Sequence, residues 1–394
     1  MKKTSLQRLR WFLLRAKNEF RRKHRKKYEI AIRVWQGEDV EFAISERAPT
    51  YPPTIMCLDR NTVEVTGFLE RLRRRLLRNT VNPVWTMKRG RGKKLRIKGY
   101  LDFSTIEEIS TSAALVLAAE YERVVSLIGS PPPLINLDEW NFDVFSRLLQ
   151  LGFFTSVGIT PKIPEQVMTS NQDVMTLNFL SGSNAEETEA ANKMLMELGN
   201  FMDPDHELPE EITVPLTSAL SEAMINVRRH AYPSNHRFTH KHINRWWLTG
   251  SADRKRRKLT VVIYDQGATI PITYSKLSSA THIREWISKQ VSRQQPSPFA
   301  MDGLHIAAAA KFGNSQTEKS YRGKGLPDMQ NAIDLCENGR LMILSRGGRY
   351  VYEGPNKIEA TSFPSSIGGT LIEWTLYLPP GNGPKVQHDT SENR

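Results

Sequence analysis

Alternating strand-like and helix-like segments between residues 54 and 155 place the strongest limit on how this chain can fold. Residues 54–58 and 95–103 read as strands, whereas residues 62–78 carry apolar side chains at helical spacing. A further helix is predicted over residues 143–151. Such alternation is typical of helices that cover a sheet, and we therefore predict an α/β (α+β) fold class.

Two more elements flank this region. A helix is predicted to open at Ser104 or Thr105 and to end near Ile128. Residues 28–45 alternate between apolar and polar side chains on both sides of a Gly-Glu-Asp turn, which predicts a β-hairpin. Residues 1–27 are predicted to form a helix that precedes it.

Changes in composition and breaks rich in Gly and Pro predict four regions. Of the 394 residues, 39% are hydrophobic and 25% are charged, which is enough apolar material for a buried core. The predicted regions are a basic helix and hairpin (1–50), a smaller α/β domain (51–165), a larger α/β domain (166–380) and a disordered polar tail (381–394).

Apolar runs and cysteines exclude several classes of protein. No stretch approaches the roughly 20 apolar residues of a spanning helix, so no transmembrane segment is predicted. Cys57 and Cys336 are too few for a disulfide framework or a Cys-rich zinc site, which predicts a reducing, cytoplasmic location. A mitochondrial transit peptide stays open, because residues 1–27 are rich in arginine and nearly free of acidic residues.

Positive charge is concentrated at the start of the chain. The net charge is +13, yet residues 1–98 alone carry 27 Lys and Arg against 9 Asp and Glu. Two clusters, from Lys2 to Lys27 and from Arg71 to Lys98, supply this excess. They predict binding to nucleic acid or another polyanion. A solvated basic surface, an acidic protein partner and an interfacial helix on anionic lipid stay open as alternatives.

The middle region contains a strand–turn–helix pattern. Residues 100–104 (Tyr-Leu-Asp-Phe-Ser) end a predicted strand, and residues 109–115 (Ile-Ser-Thr-Ser-Ala-Ala-Leu) lead into a helix. This order resembles the STAS domain of anti-sigma-factor antagonists, whose Asp-Ser-Ser-Gly turn carries a phosphorylated serine. Because Ser110 and Ala113 replace the aspartate and the glycine, phosphorylation of Thr111 or Ser112 stays open. The alternative is an ordinary buried strand–helix unit.

A polar stripe runs along the helix predicted over residues 215–230, in which Pro215 suits the first turn. Glu222, Asn226 and His230 are four residues apart and therefore share one face. An amide oxygen can join a Mg²⁺ shell of water and phosphate oxygens, and a neighbouring carboxylate can deprotonate a nucleophile. By itself, the stripe is also typical of an amphipathic helix with a solvated face.

Three glycine-containing turns follow this helix. Asp265-x-Gly267 ends a strand, where a carboxylate can accept a hydrogen bond from an adenine amino group. Gly323-x-Gly325 opens a helix whose first N–H groups can hold an anion. Gly-Gly-Thr370 begins the last strand. Each turn alone is weak, since glycine commonly marks strand and helix boundaries.

Taken together, the four segments resemble the GHKL (Bergerat-fold) ATPases: gyrase B, heat-shock-90 chaperones, MutL, histidine kinases and anti-sigma serine kinases. Glu222 and Asn226 match the N box, and Asp265-x-Gly267 matches the G1 box. Gly323-x-Gly325 matches the G2 box, and Gly369-Thr370 matches the family's last strand. The resemblance covers about residues 180–380 and looks most like the anti-sigma kinase and histidine-kinase branch. It implies a two-layer α/β sandwich of Bergerat type for the larger domain, beside a smaller STAS-like domain.

The same resemblance implies bound ATP and Mg²⁺ and assigns the site residues. Glu222 would act as the base, Asn226 would bind Mg²⁺, and Asp265 would hold the adenine amino group with support from Thr370. Gly267 would line the base pocket. The other implied nucleotide contacts are Ser315 and Thr317 on a lid formed by residues 268–322, together with Gly323, Lys324, Gly325 and Leu326.

Two departures from the family are visible. Position 269 is Thr where the family usually has the second glycine of the G1 box, which predicts a stiffer lid hinge. No phosphoacceptor helix pair of a histidine kinase precedes the larger domain.

The function predicted first is a Mg-dependent ATPase that acts as a nucleotide-controlled switch, with the basic N-terminal region for a polyanionic partner. One alternative is an anti-sigma-type serine/threonine kinase that acts on a STAS-like protein. Another is a nucleic-acid-binding scaffold with a degenerate nucleotide pocket. A regulatory protein partner or a homodimer is a further implication of the resemblance.

Overall fold

A computed structural model provides the structure of the chain. It describes residues 8, 11–16, 30–36, 38–45, 49–78, 86–89, 95–98, 100–163, 173–183, 188–204, 208–275, 281–290, 297–313, 325–335 and 338–378. The fold is of the mixed α+β class, as predicted. Of the helix predicted over residues 1–27, residues 8 and 11–16 are described, and they are helical.

The described strands form one large sheet and two smaller ones. The large sheet has the order β14-β13-β12-β15-β11-β10-β8, with β9 also paired to β10, and its strands are antiparallel. Its strands are β8 (Val174–Thr176), β9 (Leu180–Gly182), β10 (Trp246–Asp253), β11 (Lys258–Asp265), β12 (Gly339–Ser345), β13 (Gly348–Tyr352), β14 (Ile358–Ser362) and β15 (Thr370–Tyr377).

The five-stranded sheet has the order β4-β5-β2-β1-β7, and β3 pairs with β6 in a two-stranded sheet. The predicted hairpin is confirmed, because β1 and β2 pair antiparallel along their whole length. The strands are β1 (Ile30–Gln36), β2 (Asp39–Ser45), β3 (Ile55–Met56), β4 (Thr86–Arg89), β5 (Leu95–Lys98), β6 (Glu108–Ile109) and β7 (Leu134–Ile135).

Helices cover both faces of the large sheet. Those of the N-terminal half are α1 (Thr62–Leu76), α2 (Thr111–Ile128), α3 (Phe142–Gln150) and α4 (Phe153–Ser156). Those of the C-terminal half are α5 (Thr188–Met202), α6 (Glu210–Asn226), α7 (Ile270–Ser275), α8 (Thr281–Gln290), α9 (Asp302–Phe312) and α10 (Asn331–Asp334).

Strand alternation gives the large sheet two apolar faces. The front face, which carries Ile263 and Trp374, packs against α5 and α6. The back face, which carries Tyr264 and Leu371, packs against α2. Both faces are therefore buried, and the strands show nearly continuous apolar runs.

The back-face core joins the two predicted domains. Phe68 of α1 and Leu117 of α2 belong to the same hydrophobic cluster as Tyr264, Leu344 and Leu371 of the large sheet. The described residues 56–76 and 101–159 thus form a layer on the back of the sheet and share its core. The domain boundary at residue 165 stays a prediction. One hydrophobic cluster contains residues from both sides of this position.

Buried charges also join these layers. Arg73 of α1 donates to Glu120 of α2 at 3.1 Å and to the carbonyl oxygens of Ser366 and Ile367. Glu120 also accepts from Arg123, and the three side chains are about 2% exposed. Since unpaired buried charge is costly, these contacts hold α1 and α2 against the loop that precedes β15.

Three local predictions are wrong. The helix predicted to open at Ser104 or Thr105 begins at Thr111, because β6 intervenes and Ser110 caps the helix by accepting from Ala113 N at 3.2 Å. The strand predicted over residues 95–103 ends at Lys98. Pro215 lies inside α6 rather than in its first turn, since the helix starts five residues earlier.

Candidate functional site

Asp265 ends β11 with its carboxyl group buried. The residue is 6% exposed, and its Oδ1 accepts from the backbone N–H of Gly267 at 2.7 Å. The backbone N–H of Thr370 on the adjacent strand is a second donor. Loss of hydration raises the pKa of Asp265 to about 7 in spite of these hydrogen bonds. A buried carboxyl group with a perturbed pKa is a marker of functional sites.

Two glycines allow this turn to close. A β-carbon on Gly369 would lie 1.7 Å from the carbonyl oxygen of Asp265, and one on Gly267 would lie 2.4 Å from that of Ala231. Real side chains do not tolerate such distances, so both positions require glycine. Gly267 therefore serves the close approach of α6 to the turn, and it is absent from the walls of the pocket that it was predicted to line.

Helix α6 presents its polar residues beside this turn. After Asn226 the helix widens into a π-helical segment, Val227–Ala231, a feature often found at functional sites. The segment ends where the carbonyl oxygen of Ala231 accepts from Ala268 N at 2.5 Å. The wide turn thus fixes the helix against the end of β11.

Glu222 and Asn226 interact directly, as their spacing predicts. The Asn226 amide donates a hydrogen bond to the Glu222 carboxyl group, which leaves the amide oxygen available to a ligand. Burial is the largest cause that raises the pKa of Glu222. Asp328 raises it further, whereas Arg229 and Asn226 lower it. The result is a half-buried carboxyl group with an increased affinity for protons.

These elements enclose one cavity of about 160 Å³, which we call the front pocket. The structure brings Asn226, Asp265, Gly325, Leu326 and Thr370 together on its walls, as the sequence predicted. His230 of the polar stripe also lines the pocket. The walls that were not predicted are mostly apolar: Ala223, Val227, Ala231, Ile263, Tyr264, Ala268, Ile270, Thr273, Tyr274, Ala309, Gly313, Met329 and Ile372. Helix and strand spacing around the predicted residues would have found several of them.

Gly325 places the second glycine motif next to α6. Its φ of +71° is in the left-handed region that favours glycine, and a β-carbon there would lie 4.0 Å from Oε1 of Glu222. Where a helix was predicted, a 3₁₀ turn, Leu326–Gln330, follows with Pro327 at its start and leads into the short helix α10. Glu222 therefore lies beside the Gly325 edge of the front pocket.

Four predicted contacts fall outside the described residues: Ser315, Thr317, Gly323 and Lys324. The described parts of the predicted lid, residues 268–275, 281–290 and 297–313, contain α7, α8 and α9. These helices build a small core around Tyr274, Ala308 and Ala309. Thr269, the predicted hinge departure, is 5% exposed, and its hydroxyl has no hydrogen-bond partner among the described residues.

Hydroxyl groups support the turn from behind. The Tyr232 hydroxyl accepts from Gln266 N at 3.1 Å and donates to the carbonyl oxygen of Arg245 at 2.5 Å. The Ser345 hydroxyl contacts the Thr370 hydroxyl at 2.9 Å and accepts from Ile270 N at 2.9 Å. Ser345 was not predicted, since nothing in its local sequence pattern distinguishes it.

The residues fit Mg²⁺ only together with a phosphate ligand. Within the described ranges, no three His, Cys, Asp or Glu side chains converge as metal ligands. Asn226 offers one amide oxygen, which suits a Mg²⁺ ion whose other ligands are water and phosphate.

Comparison with other proteins leaves the site to be judged on its geometry. No family model and no curated protein matches the sequence. Among the described helices, none combines the length and the apolar character that crossing a bilayer requires.

Proposed function

We propose that this chain binds ATP in the front pocket with Mg²⁺ and uses the nucleotide as a switch for its basic N-terminal region. The observation that carries the proposal is the convergence of Asn226, Asp265, Gly325 and Thr370 on one cavity. These residues are distant in sequence and come from four different elements. An apolar pocket with a few polar groups and a perturbed carboxyl group is the usual form of a small-molecule site.

The pocket supports recognition of a purine base. Its volume of about 160 Å³ is below the roughly 300–1,000 Å³ of typical small-molecule sites, so the described walls suit one part of a nucleotide, the base, rather than the whole molecule. Asp265 keeps acceptor capacity after its two backbone hydrogen bonds, which suits an exocyclic amino group. The triphosphate would extend past Gly325 toward Gly323 and Lys324.

The polar stripe of α6 supports chemistry at the phosphates. The amide oxygen of Asn226 would hold Mg²⁺, which supplies charge neutralisation for the phosphates when bound. Glu222, whose pKa is raised by burial, would orient a water molecule and accept its proton as the oxygen attacks the terminal phosphorus. The bond to the ADP oxygen breaks, and free phosphate is the product.

Contacts between α1 and the loop that precedes Thr370, a residue of the pocket wall, support the switch. Ser366 N donates to Glu70 at 3.2 Å, and Arg73 donates to the carbonyl oxygens that precede Gly368 and Gly369. The outer face of the same helix carries Arg71, Arg74 and Arg75, and these line a depression of about 290 Å³ together with Arg78, two residues beyond the end of the helix. A ligand that shifts the Gly369 turn would thus move the helix that bears this basic surface, which suits a polyanion.

The kinase alternative is supported only for a separate protein substrate. Thr111 and Ser112, the hydroxyls at the STAS-like turn, are 7% and 1% exposed. Ser112 is hydrogen-bonded to Glu373, which lies three residues along β15 from Thr370 and on the opposite face. That separation is about 10 Å along the strand alone. Transfer within one chain from the front pocket to these hydroxyls is therefore disfavoured.

Calorimetry with Mg-ATP tests the proposal, and Asp265→Asn is the informative variant. Asparagine can still accept from Gly267 N, so we expect the variant to fold. Its ATP affinity should be about 100-fold lower, because the asparagine NH₂ group presents a donor to the adenine amino group, which is itself a donor. No binding by the wild type, or full binding by the variant, would contradict the proposal.

Labelled ATP then separates the alternatives. Release of free phosphate supports the ATPase, whereas a stable phosphoprotein supports the kinase. DNA or RNA binding with a steep salt dependence that ignores ATP supports the scaffold.

A further inference from the structure

The back face of the large sheet changes from apolar to polar along its strands. One row of paired residues is apolar and lies under the back-face helices: Leu344, Leu371, Tyr264 and Trp247. A second row, four residues further along each of the same strands, is entirely polar: Arg340, Thr375, Thr260 and Ser251. Four strands change character at the same level, which indicates a surface built for polar contacts.

Helix α2 begins where this change occurs. The Thr111 hydroxyl contacts the Ser251 hydroxyl of the polar row at 2.8 Å, whereas Glu120 lies 3.5 Å from the Tyr264 hydroxyl in the apolar row. The helix therefore covers the apolar row, and its N-terminal end lies at the polar row. Beyond its first residue the sheet faces a cavity of about 890 Å³, which we call the back cavity.

The back cavity has walls from both halves of the chain. The sheet contributes Lys258, Thr260, Glu373 and Thr375, and α3 contributes Arg147 on the opposite side. Residues 107–112, together with Cys57, Asp59 and Arg60, form further parts of its wall. The volume falls in the range of roughly 300–1,000 Å³ that is typical of small-molecule sites.

Many of the charges around this cavity are already paired. Asp59 pairs with Arg340 at 2.6 Å, and further ion pairs join Arg60 to Glu108, Arg256 to Asp253, and Lys357 to Glu353. Arg147 and Lys258 form no ion pair within 4 Å among the described residues. Three acidic residues of the wall are likewise unpaired within that part of the chain: the buried Glu373 and the exposed Glu107 and Asp143.

The two unpaired cations lie close to groups that suit an anion. Arg147 donates to the carbonyl oxygen of Ile109, immediately before the cap of α2. The first turn of α2 contains no acidic residue of its own, so its N–H groups carry partial positive charge, part of which the Glu373 carboxyl group offsets through its hydrogen bond with Ser112. Glu373 accepts from the hydroxyl groups of Ser112 and Thr375, the latter at 3.5 Å, and is attracted to Lys258. Its remaining lone pairs can accept from a hydroxyl or amino group of a ligand.

We propose that the back cavity is a second ligand site, which binds a small polar metabolite carrying a phosphate or carboxylate group. The anionic group would lie between Arg147, Lys258 and the start of α2. Hydroxyls of Thr260 and Thr375 would bind the polar remainder. This proposal does not depend on the front pocket, since the two cavities lie on opposite faces of the sheet.

Inorganic phosphate is the probe that tests the site. The full chain is titrated with phosphate, with chloride at equal ionic strength as reference, while thermal unfolding and hydrogen exchange of residues 109–114 are followed. We expect phosphate to raise the melting temperature and to slow exchange at the first amides of α2. The dissociation constant should increase about tenfold or more in Lys258→Gln, because a charge-assisted hydrogen bond is lost.

A matched control separates this site from general basic charge. Lys255 is three residues away, pairs with Asp173 at 2.5 Å and does not line the cavity, so Lys255→Gln should leave phosphate binding unchanged. Thr260→Val replaces only a hydroxyl group by a methyl group, so the variant should retain the fold. It should weaken the binding of carboxylate or phosphate ligands that carry hydrogen-bond donors.

Three outcomes would overturn the proposal: no phosphate effect beyond that of chloride, equal losses in the Lys258 and Lys255 variants, or protection elsewhere than at α2. Asp265→Asn should bind phosphate as the wild type does. Loss of ATP binding with retained phosphate binding, or the reverse, therefore distinguishes failure of one site from failure of the other.

Discussion

The front pocket and the back cavity lie on opposite faces of one sheet and differ in size and chemistry. The front pocket is small, mostly apolar and contains one buried carboxyl group at its wall, whereas the back cavity is large and lined by hydroxyls and charges. Strand β11 serves both, with Asp265 at one end and Lys258 at the other. Alternation of side chains lets neighbouring residues of one strand build two unrelated environments.

The comparison also separates two ways of stabilising polar groups. Asp265 is held by backbone N–H groups and keeps a raised pKa, while the Arg73–Glu120–Arg123 cluster on the back face is held by charge pairing. The first arrangement leaves capacity for a ligand. The second arrangement fixes the layers to one another.

The largest effect should come from Glu120→Gln. The change leaves Arg73 and Arg123 buried without a carboxylate, which should lower the free energy of unfolding by about 3–5 kcal/mol. Urea unfolding measures it, and Glu189→Gln, in an exposed pair with Lys193, is the control expected to show little change. Equal effects of both changes would contradict a structural role for the buried cluster.

Gly369→Ala should damage the front pocket next. The added β-carbon would overlap the carbonyl oxygen of Asp265, so we expect a loss of about 3 kcal/mol in unfolding free energy and weakened Mg-ATP binding. Gly158→Ala is the matched control, since its β-carbon meets open space and only the positive φ is strained, by about 1 kcal/mol. A stable Gly369 variant with normal ATP affinity would refute the close approach.

The pH dependence of stability should report on Asp265. Its pKa is higher in the folded state, near 7, than the usual 3.8, so the folded protein binds the extra proton between these values. Stability should therefore fall as the pH rises from about 4 to 7 and level off above, by a few kcal/mol at most. Unfolding at pH 5 and pH 8 should show a smaller decrease in Asp265→Asn than in the wild type. Parallel profiles would mean that Asp265 is not the titrating group.

Thr269→Val should have the smallest effect. The buried hydroxyl of Thr269 has no partner among the described residues, so its replacement by a methyl group should raise stability by about 1 kcal/mol. Nucleotide dissociation, followed by stopped-flow fluorescence, should change little, because the side chain keeps its shape. A clear acceleration would assign the hydroxyl a role in the lid hinge.

Local sequence patterns were sufficient for most elements of the candidate site. The four-residue spacing of Glu222 and Asn226 placed both on one helix face, and the β-branched run before Asp265 ended in a strand. Thr370 began the last strand, β15, directly after Gly369, as predicted. The error over Ser104 and Thr105 shows the limit, because β6 pairs with β3, whose residues are 53 positions earlier in the chain, and this pairing displaced the helix start.

The sequence by itself determined the helix and strand periodicities and the residue types at their ends, because these depend on neighbours within a few turns. Only the tertiary structure decided that residues 56–76 and 101–159 cover the back face and that Gly267 packs against Ala231. It also decided the register that aligns Arg340, Thr375, Thr260 and Ser251 in one polar row. The physical reason is that strand register and helix placement follow from contacts between distant segments, which no local pattern contains.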